Sequence, residues 1–339
     1  MGNPVGRLEI ALNYLAENVQ LLGKEESVEV IVTDWGSQVP LKDVLKLNAT
    51  AAKITRFLEV PNAVVKEVQK DSPFAEVLAL NAAARRASGE YIGRIDQDTL
   101  VGKHFLRIFF EWVDGKRNLG ASLKTSYLFS KRRQIPFDFA THNLSLKYVK
   151  GFLALCGKCL LVEAHPPFFF NSPVGIMILS KDLWMKCGGY DERLIYWGWM
   201  EVDMAYRLKP EYRLLDIGPM VKYDFYHLEH YDPRLPRRTP RKMNPTHTEN
   251  LEFNPNDEHW GLIEHAFPLC SCSEKAMEKR PDVSDAWKSW RIVFANIFEF
   301  FLNQLKYSFV GRGFCALGRP KKYLSYLKRT YHYVARRVN

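Results

Sequence analysis

No stretch of this chain is long and apolar enough to span a bilayer. The best candidate, Trp290–Val310, is interrupted by Arg291, Asn296, Glu299, Asn303, Gln304 and Lys306. The opening Met1-Gly2-Asn3-Pro4-Val5-Gly6 has no apolar core of a secretory signal and no Ser or Thr at position six for myristoylation. Internal repeats and low-complexity blocks are missing, so the reading is of ordinary globular sequence. Acidic residues are in deficit: 38 against 48 Lys and Arg, for a net charge of +10. That balance favours an anionic partner, whether a nucleotide diphosphate, a nucleic acid or an acidic membrane face. Cysteines are few, six in 339 residues. Cys156-Gly-Lys-Cys159 with Cys270-Ser-Cys272 fits either a four-thiolate zinc site or free thiols.

What is present reads as α/β. Arg7–Leu22 carries Leu8, Ala11, Leu12, Leu15, Val19 and Leu22 at helical spacing. Val28–Thr33 is a β-branched strand ending at Asp34, and Lys53–Val60 is a weaker one. Ser72-Pro73 should open a helix running to about Ser88, with Ser72 as its cap. Tyr91–Ile95 is a strand running into Asp96-Gln97-Asp98, and a helix over His104–Val113 follows. Further on, Lys124–Phe129, Gly175–Ser180 and Val221–Phe225 read as strands, and Trp197–Leu208 enters a helix. Alternating helices and strands predict a mostly parallel sheet flanked by helices. Only six residues precede the first helix, so a leading strand is missing or truncated. Tyr231–Pro281 reads as loop, and Asp285–Val310 and Tyr323–Val338 as helices.

The chemistry gathers at strand ends. Asp96 and Asp98 would share one face if their strand continued, and two hard oxygens there suit Mg2+ or Mn2+ and hence a diphosphate. A strand-end turn would use the same residues. Parallel strands share a carboxyl edge, which would bring Asp34 into the same crevice. Glu201 and Asp203 start a helix, where they either favour its dipole or act as a general base beside Trp197 and Trp199. His227 and His230 follow a strand end, three residues apart, and fit either a solvated pair or nitrogen ligands to the same metal.

Four ordered motifs sharpen this. Val30–Ser37 and Leu80–Asp98 resemble the nucleotide-binding half of family-two glycosyltransferases of the GT-A fold. Gly188-Gly-Tyr-Asp-Glu192, Trp197-Gly-Trp199, Glu201-Val-Asp203 and Tyr226–His230 resemble a galactosyltransferase-type C-terminal motif. The resemblance spans about residues 8–235 and implies a GT-A (Rossmann-like) fold: a nucleotide-sugar half over 1–115 and an acceptor half over 116–235. An irregular segment over 236–284 and a basic amphipathic helical tail over 285–339 follow. By the resemblance, Asp34 contacts the uracil of a UDP-sugar, and Asn81, Arg94 and Gln97 line the donor site. Asp98 binds the metal, Asp96 the ribose or metal, and His227 or His230 completes the shell. Glu201 is the base, Gly175 lets the donor sugar approach backbone, and Asp203, Trp197 and Trp199 hold the acceptor. Met200 stands where many members carry Glu, Glu201 where they carry the Asp base, and Leu80 where they carry Arg.

The implied activity is a metal-dependent inverting transfer from a UDP-sugar to a glycan or lipid-linked acceptor, in surface polysaccharide synthesis. A retaining transferase and a nucleotide-sugar or glycan-binding protein are the alternatives. The expected cofactor is Mn2+ or Mg2+, with Mn2+ favoured by imidazole. The expected place is the cytoplasm; the tail either lies on an anionic lipid surface at the inner membrane face, or its Trp290–Val310 helix packs on the catalytic domain. Nucleic acid is not expected, because the basic charge has no recognition motif with it.

Overall fold

The computed structural model describes residues 3–137, 140, 145–163, 175–230, 242–245 and 252–273. Helix α1 spans Pro4–Gln20; Asn3 caps it by accepting from the Gly6 amide, and Pro4 fills the first turn, where no amide partner is needed. Strand β1 (Val30–Trp35) pairs in parallel with β2 (Thr55–Val60), and the short helices α2 (Leu41–Val44) and α3 (Ala49–Ile54) lie between them in sequence. Helix α4 (Asn62–Val68) and helix α5 (Glu76–Arg86) lead to strand β3 (Tyr91–Ile95), strand β4 (Thr99–Val101) and helix α6 (Lys103–Val113). Strands β5 (Ser126–Phe129) and β6 (Arg133–Ile135) follow, then helix α7 (Leu146–Cys156). Strand β7 (Ile176–Ser180), helices α8 (Lys181–Lys186) and α9 (Met200–Leu208), and strands β8 (Arg213–Asp216), β9 (Phe225–Leu228) and β10 (Leu269–Ser271) complete the order.

The sheets are mixed, which corrects the expectation of a mostly parallel one. Sheet order is β1-β2-β10, β3-β7-β5-β8 and β4-β9-β6. Strand β7 runs antiparallel to both β3 and β5, β4 antiparallel to β9, and β10 antiparallel to β2. The parallel pairs are β1 with β2, β5 with β8 and β6 with β9. Every residue of β7 is buried, as its unbroken Ile-Met-Ile-Leu run requires. Such a run reports burial on both faces and carries no information about strand direction.

Several boundaries move. Helix α5 begins at Glu76, not at Ser72. The Ser72 hydroxyl instead donates to the carbonyls of Ile195 at 2.7 Å and Phe74 at 3.1 Å, so it ties the preceding loop to a distant one. The expected strand Val221–Phe225 is shifted forward to Phe225–Leu228, which places His227 inside a strand instead of beyond its end. The segment read as loop after Tyr231 contributes β10, held on the edge of β2. Ser180 caps α8, accepting from the Leu183 amide at 3.3 Å.

Residue contacts gather the chain into two units, Met1–Thr141 with Leu161–Arg280, and His142–Leu160 with Pro281–Asn339. Both expected halves, 1–115 and 116–235, contribute to the first. In the second, Ser145 caps α7 by accepting from the Tyr148 amide at 3.4 Å. The tail helices of 285–339, and the membrane contact expected of them, lie outside the described residues. Among the described residues no helix is long and apolar enough to cross a membrane. None of the five described cysteines, Cys156, Cys159, Cys187, Cys270 and Cys272, is in a disulfide.

A candidate metal and acid-base site

The apolar run of β3 ends at Ile95, and a turn follows in which the Thr99 amide donates to the Asp96 carbonyl at 2.9 Å. That turn breaks the alternation that would have aligned the two acids. Asp98 enters the 6 % exposed interior, where its carbonyl accepts from the Leu228 amide at 2.9 Å. Strand β4 pairs with β9 so that Thr99 faces His227, which sets that imidazole beside Asp98. His227 Nε2 lies 3.5 Å and His230 Nδ1 3.1 Å from Asp98 Oδ2. The two rings meet edge-on, with centroids 5.5 Å apart.

One ligand atom from each of Asp98, His227 and His230 falls within 4.8 Å of the others. Asp98 Oδ1 and His227 Nδ1 are buried without a hydrogen-bond partner among the described residues. Buried orphans of this kind call for a missing partner. A carboxylate oxygen with two imidazole nitrogens suits a first-row transition ion such as Mn2+ better than Mg2+, which prefers an all-oxygen shell with several waters. Burial alone would raise the Asp98 carboxyl, but hydrogen bonds from His227 and His230 and the charge of Arg132 outweigh it and hold it well below the usual carboxylate range. It is therefore an anion ready to ligate.

Asp96 is engaged differently, and it stands apart from the Asp98 group. Its Oδ1 lies 2.8 Å from Arg94 Nη2, and its Oδ2 accepts from Arg132 Nη1 at 2.7 Å. Both oxygens are thus taken by guanidinium groups. Arg94 Nη2 also donates to Glu76 at 2.7 Å, and its Nη1 lies 3.0 Å from Glu201 Oε1. Arg132 Nη2 donates to Glu163 at 2.8 Å, and the Arg132 amide donates to the same carboxylate at 3.2 Å. Burial would lower both arginines, but their carboxylate neighbours more than compensate and keep each firmly charged.

The cluster therefore joins five carboxylates, Glu76, Asp96, Asp98, Glu163 and Glu201, to two guanidinium groups. The acids are in excess, and a divalent cation would offset part of that excess. Glu201 carries the strain of it. Burial first, then the charges of Glu76 and Asp96, push its carboxyl up to about 7 despite the neighbouring Arg94. Its side chain is 13 % exposed, enough to meet a substrate hydroxyl.

Three residues read as substrate contacts are bonded to the scaffold. Asn81 is fully buried; its amide donates to the Tyr190 carbonyl at 2.9 Å and Glu192 at 3.0 Å, and it accepts from the Tyr190 amide at 2.9 Å. It pins the Gly188–Glu192 turn. Asp203 is 2 % exposed and bonded to Arg207 Nε at 2.8 Å. Arg207 in turn donates to the carbonyls of Cys187, Gly189 and Phe253, so the pair braces that same turn and is closed to an acceptor. Asp34 accepts from the amides of Ser37 at 3.3 Å and Leu41 at 2.7 Å, closing the loop after β1. Its sheet is separate from that of β3, so no shared strand edge carries it to Asp98.

The remaining expected residues stand as follows. Gln97 is exposed at the tip of the turn. Gly175 has φ +85°, and a Cβ there would lie 2.6 Å from Arg132 Cζ, so glycine makes room for this chain's own guanidinium. Trp197 is 45 % exposed; its amide donates to the Lys242 carbonyl at 3.2 Å. Trp199 precedes α9 with φ +70°. Sequence reading passed over Glu76, Arg132 and Glu163. Arg132 sits in a basic run that looks like solvated surface, and Glu163 is a lone acid in apolar sequence. A single charge with no neighbour to pair locally was the one signal available for Glu163.

Neither a family model nor a curated protein matches the chain. Among solved structures, it is similar to the catalytic domain of Drosophila beta1,4galactosyltransferase 7 in complex with xylobiose, at 12% identity and a TM-score of 0.33. The match covers 62% of this chain and 58% of that one. At that overlap the likeness settles neither fold nor chemistry, which rest on the geometry above.

Proposed function

We propose that the protein is a metal-dependent glycosyltransferase of the hexosyltransferase type. It takes a sugar from a UDP-sugar and passes it, with inversion, to a glycan or lipid-linked saccharide acceptor. The reading is carried by one observation: the Asp98–His227–His230 group, with Asp98 and His227 buried, and a carboxyl raised to about 7, Glu201, belong to a single charge network. Asp98, His227 and His230 would hold the cation, Mn2+ in preference to Mg2+, which supplies positive charge to offset that of a departing diphosphate.

Glu201 accepts the proton of the acceptor hydroxyl as that oxygen attacks the anomeric carbon. A base with its pKa near the working pH is best matched to that transfer. Arg94 orients it, because Nη1 lies 3.0 Å from Oε1. Asp96 holds Arg94 and Arg132 apart. The exposed indole of Trp197 offers a face on which a sugar ring stacks. Surface polysaccharide precursors fit such an acceptor surface, and the basic tail of 285–339 would bring the protein to an anionic membrane face that carries them.

The test is UDP release from a panel of UDP-sugars with Mn2+, comparing the parent protein with Glu201→Gln. Release that needs Mn2+ and drops at least about 100-fold in the variant is expected. Binding of a UDP-sugar without turnover in either protein would overturn the transferase reading in favour of a binding protein. The anomeric configuration of the product separates inversion from retention.

A further inference from the structure

The Arg132–Glu163 pair is not required by any step above, yet both side chains are almost fully buried, at 5 % and 8 % exposure. An ion pair withdrawn from water carries a desolvation cost that its mutual attraction only partly recovers. Its position relative to His227 gives it a use. Asp98 Oδ2 faces His227 Nε2 at 3.5 Å, whereas Glu163 Oε1 faces Nδ1 of the same ring at 3.9 Å. The two carboxylates therefore stand on opposite edges of one imidazole.

We infer that Glu163 is a positioning residue for the cation site: once a cation takes Nε2 of His227, the Glu163 carboxylate, within ion-pair distance of Nδ1, holds the ring proton on Nδ1, and Arg132 holds Glu163 in place. This rests on the reading that Asp98, His227 and His230 hold a divalent cation. Metal-bound imidazoles commonly donate their other N–H to a carboxylate, which settles the tautomer and raises ligand basicity. Here the carboxylate is itself oriented. Arg132 Nε reaches both Glu163 oxygens, at 3.1 and 3.2 Å, while Nη2 and the Arg132 amide take one each. The backbone adds to this, since the Glu163 amide donates to the Arg132 carbonyl at 2.9 Å. Arg132 is anchored at its far end by Asp96 and by the Thr99 hydroxyl at 2.9 Å. The same arginine thus connects the Asp-x-Asp turn to the back of the histidine ligand.

The experiment measures Mn2+ binding to the full chain by electron paramagnetic resonance of the free ion, without substrate. The parent protein, His230→Ala, Glu163→Gln and the double variant Arg132→Met/Glu163→Gln are compared. Saturable binding in the parent that His230→Ala removes establishes the cation site. Glu163→Gln should then weaken Mn2+ binding by about 10- to 100-fold. The double variant removes both charges of the buried pair, is measured beside the single variant so that the result does not depend on one of them folding, and should weaken binding at least as much. A second reading uses the unaltered protein loaded with diamagnetic Zn2+. Nitrogen-15 NMR of the histidine rings should show His227 protonated at Nδ1, with a downfield proton that moves upfield in either Glu163 variant. Mn2+ affinity equal to the parent in both Glu163 variants, or a His227 ring bound through Nδ1, overturns the inference while leaving the cation site standing. No saturable binding in the parent overturns both.

Discussion

Arg94 Nη1 lies 3.0 Å from Glu201 Oε1 while Nη2 of the same guanidinium lies 2.8 Å from Asp96 Oδ1. One side chain on β3 thus binds the first acid of the Asp-x-Asp turn to the acid at the start of α9. A lysine cannot span three carboxylates, because its charge is a single point. Arg94→Lys should cost about 3–5 kcal/mol of stability, measured by denaturant titration, because it strands Glu76, Asp96 and Glu201. An unchanged midpoint would show that the network is solvated in solution.

Glu201 gives the network a pH signature. Its carboxyl is raised from 4.5 to about 7 in the folded protein. Between those values the folded state holds a proton that the unfolded state has released, so this residue's contribution to stability is full below about 4.5 and is lost as pH rises through about 7. The parent should therefore lose about 3 kcal/mol relative to Glu201→Gln between pH 4.5 and pH 8. UDP release should follow the opposite course, rising through pH 7 as the base ionises. Parallel stability profiles for the two proteins would place the titration elsewhere.

Asp203 and Glu201 are two residues apart and should separate cleanly. Asp203→Asn breaks the buried pair with Arg207 and should cost about 3–5 kcal/mol. Assayed well below its melting temperature, the variant should keep kcat within a few-fold of the parent. A Glu201-like loss of kcat in a folded Asp203→Asn protein would return Asp203 to the chemistry.

Gly189 and Asn81 form one joint. Gly189 has φ +72°, and a Cβ there would run into the Asn81 amide oxygen. Asn81→Ala removes three hydrogen bonds and leaves the buried Tyr190 amide unpaired, while Asn256 still donates to the Tyr190 carbonyl, for about 2 kcal/mol of lost stability. Gly189→Ala should cost at least as much, and the two together less than their sum, since both disturb the same turn. Full additivity would mean that the contact is absent.

Cation binding should show in stability as well as in affinity. Mn2+ at about 100 times its Kd should add about 2.7 kcal/mol to the parent and nothing to Asp98→Asn. Scanning calorimetry with and without the ion reads this directly, and an equal gain in both proteins would move the cation to another site.

Much of this was legible in the residues. Helices α1, α6 and α9 and strands β1, β2, β3, β5 and β7 lie within a few residues of where periodicity puts them, because apolar spacing reports which face of an element is buried. The grouping of Asp98 with His227 and His230 also follows the order in which acids and imidazoles end their strands. Ser72 misled because Ser-Pro before an apolar run is a good helix start locally, yet its hydroxyl found a better acceptor at Ile195, 123 residues away. The partners of Asn81 and Asp203 were not legible. Polar side chains in apolar stripes must be met somewhere, and here Asn81 meets the buried backbone of Tyr190 and Asp203 the buried Arg207.

By itself the sequence determined where most helices and strands lie and which residues are apolar enough to bury, and it singled out Asp98, His227 and His230 as a candidate ligand group and Glu201 as a candidate base. Those properties are local, because the intrinsic geometry of a helix or strand imposes them on its neighbours in sequence. Tertiary structure alone decided strand direction, the division of Asp96 from Asp98, and the joining of Arg132 to Glu163 across 31 positions. Each of these depends on which distant group arrives to satisfy a buried charge or a free strand edge. Residue spacing records that a charge must be met, but the partner is chosen only when the chain closes on itself.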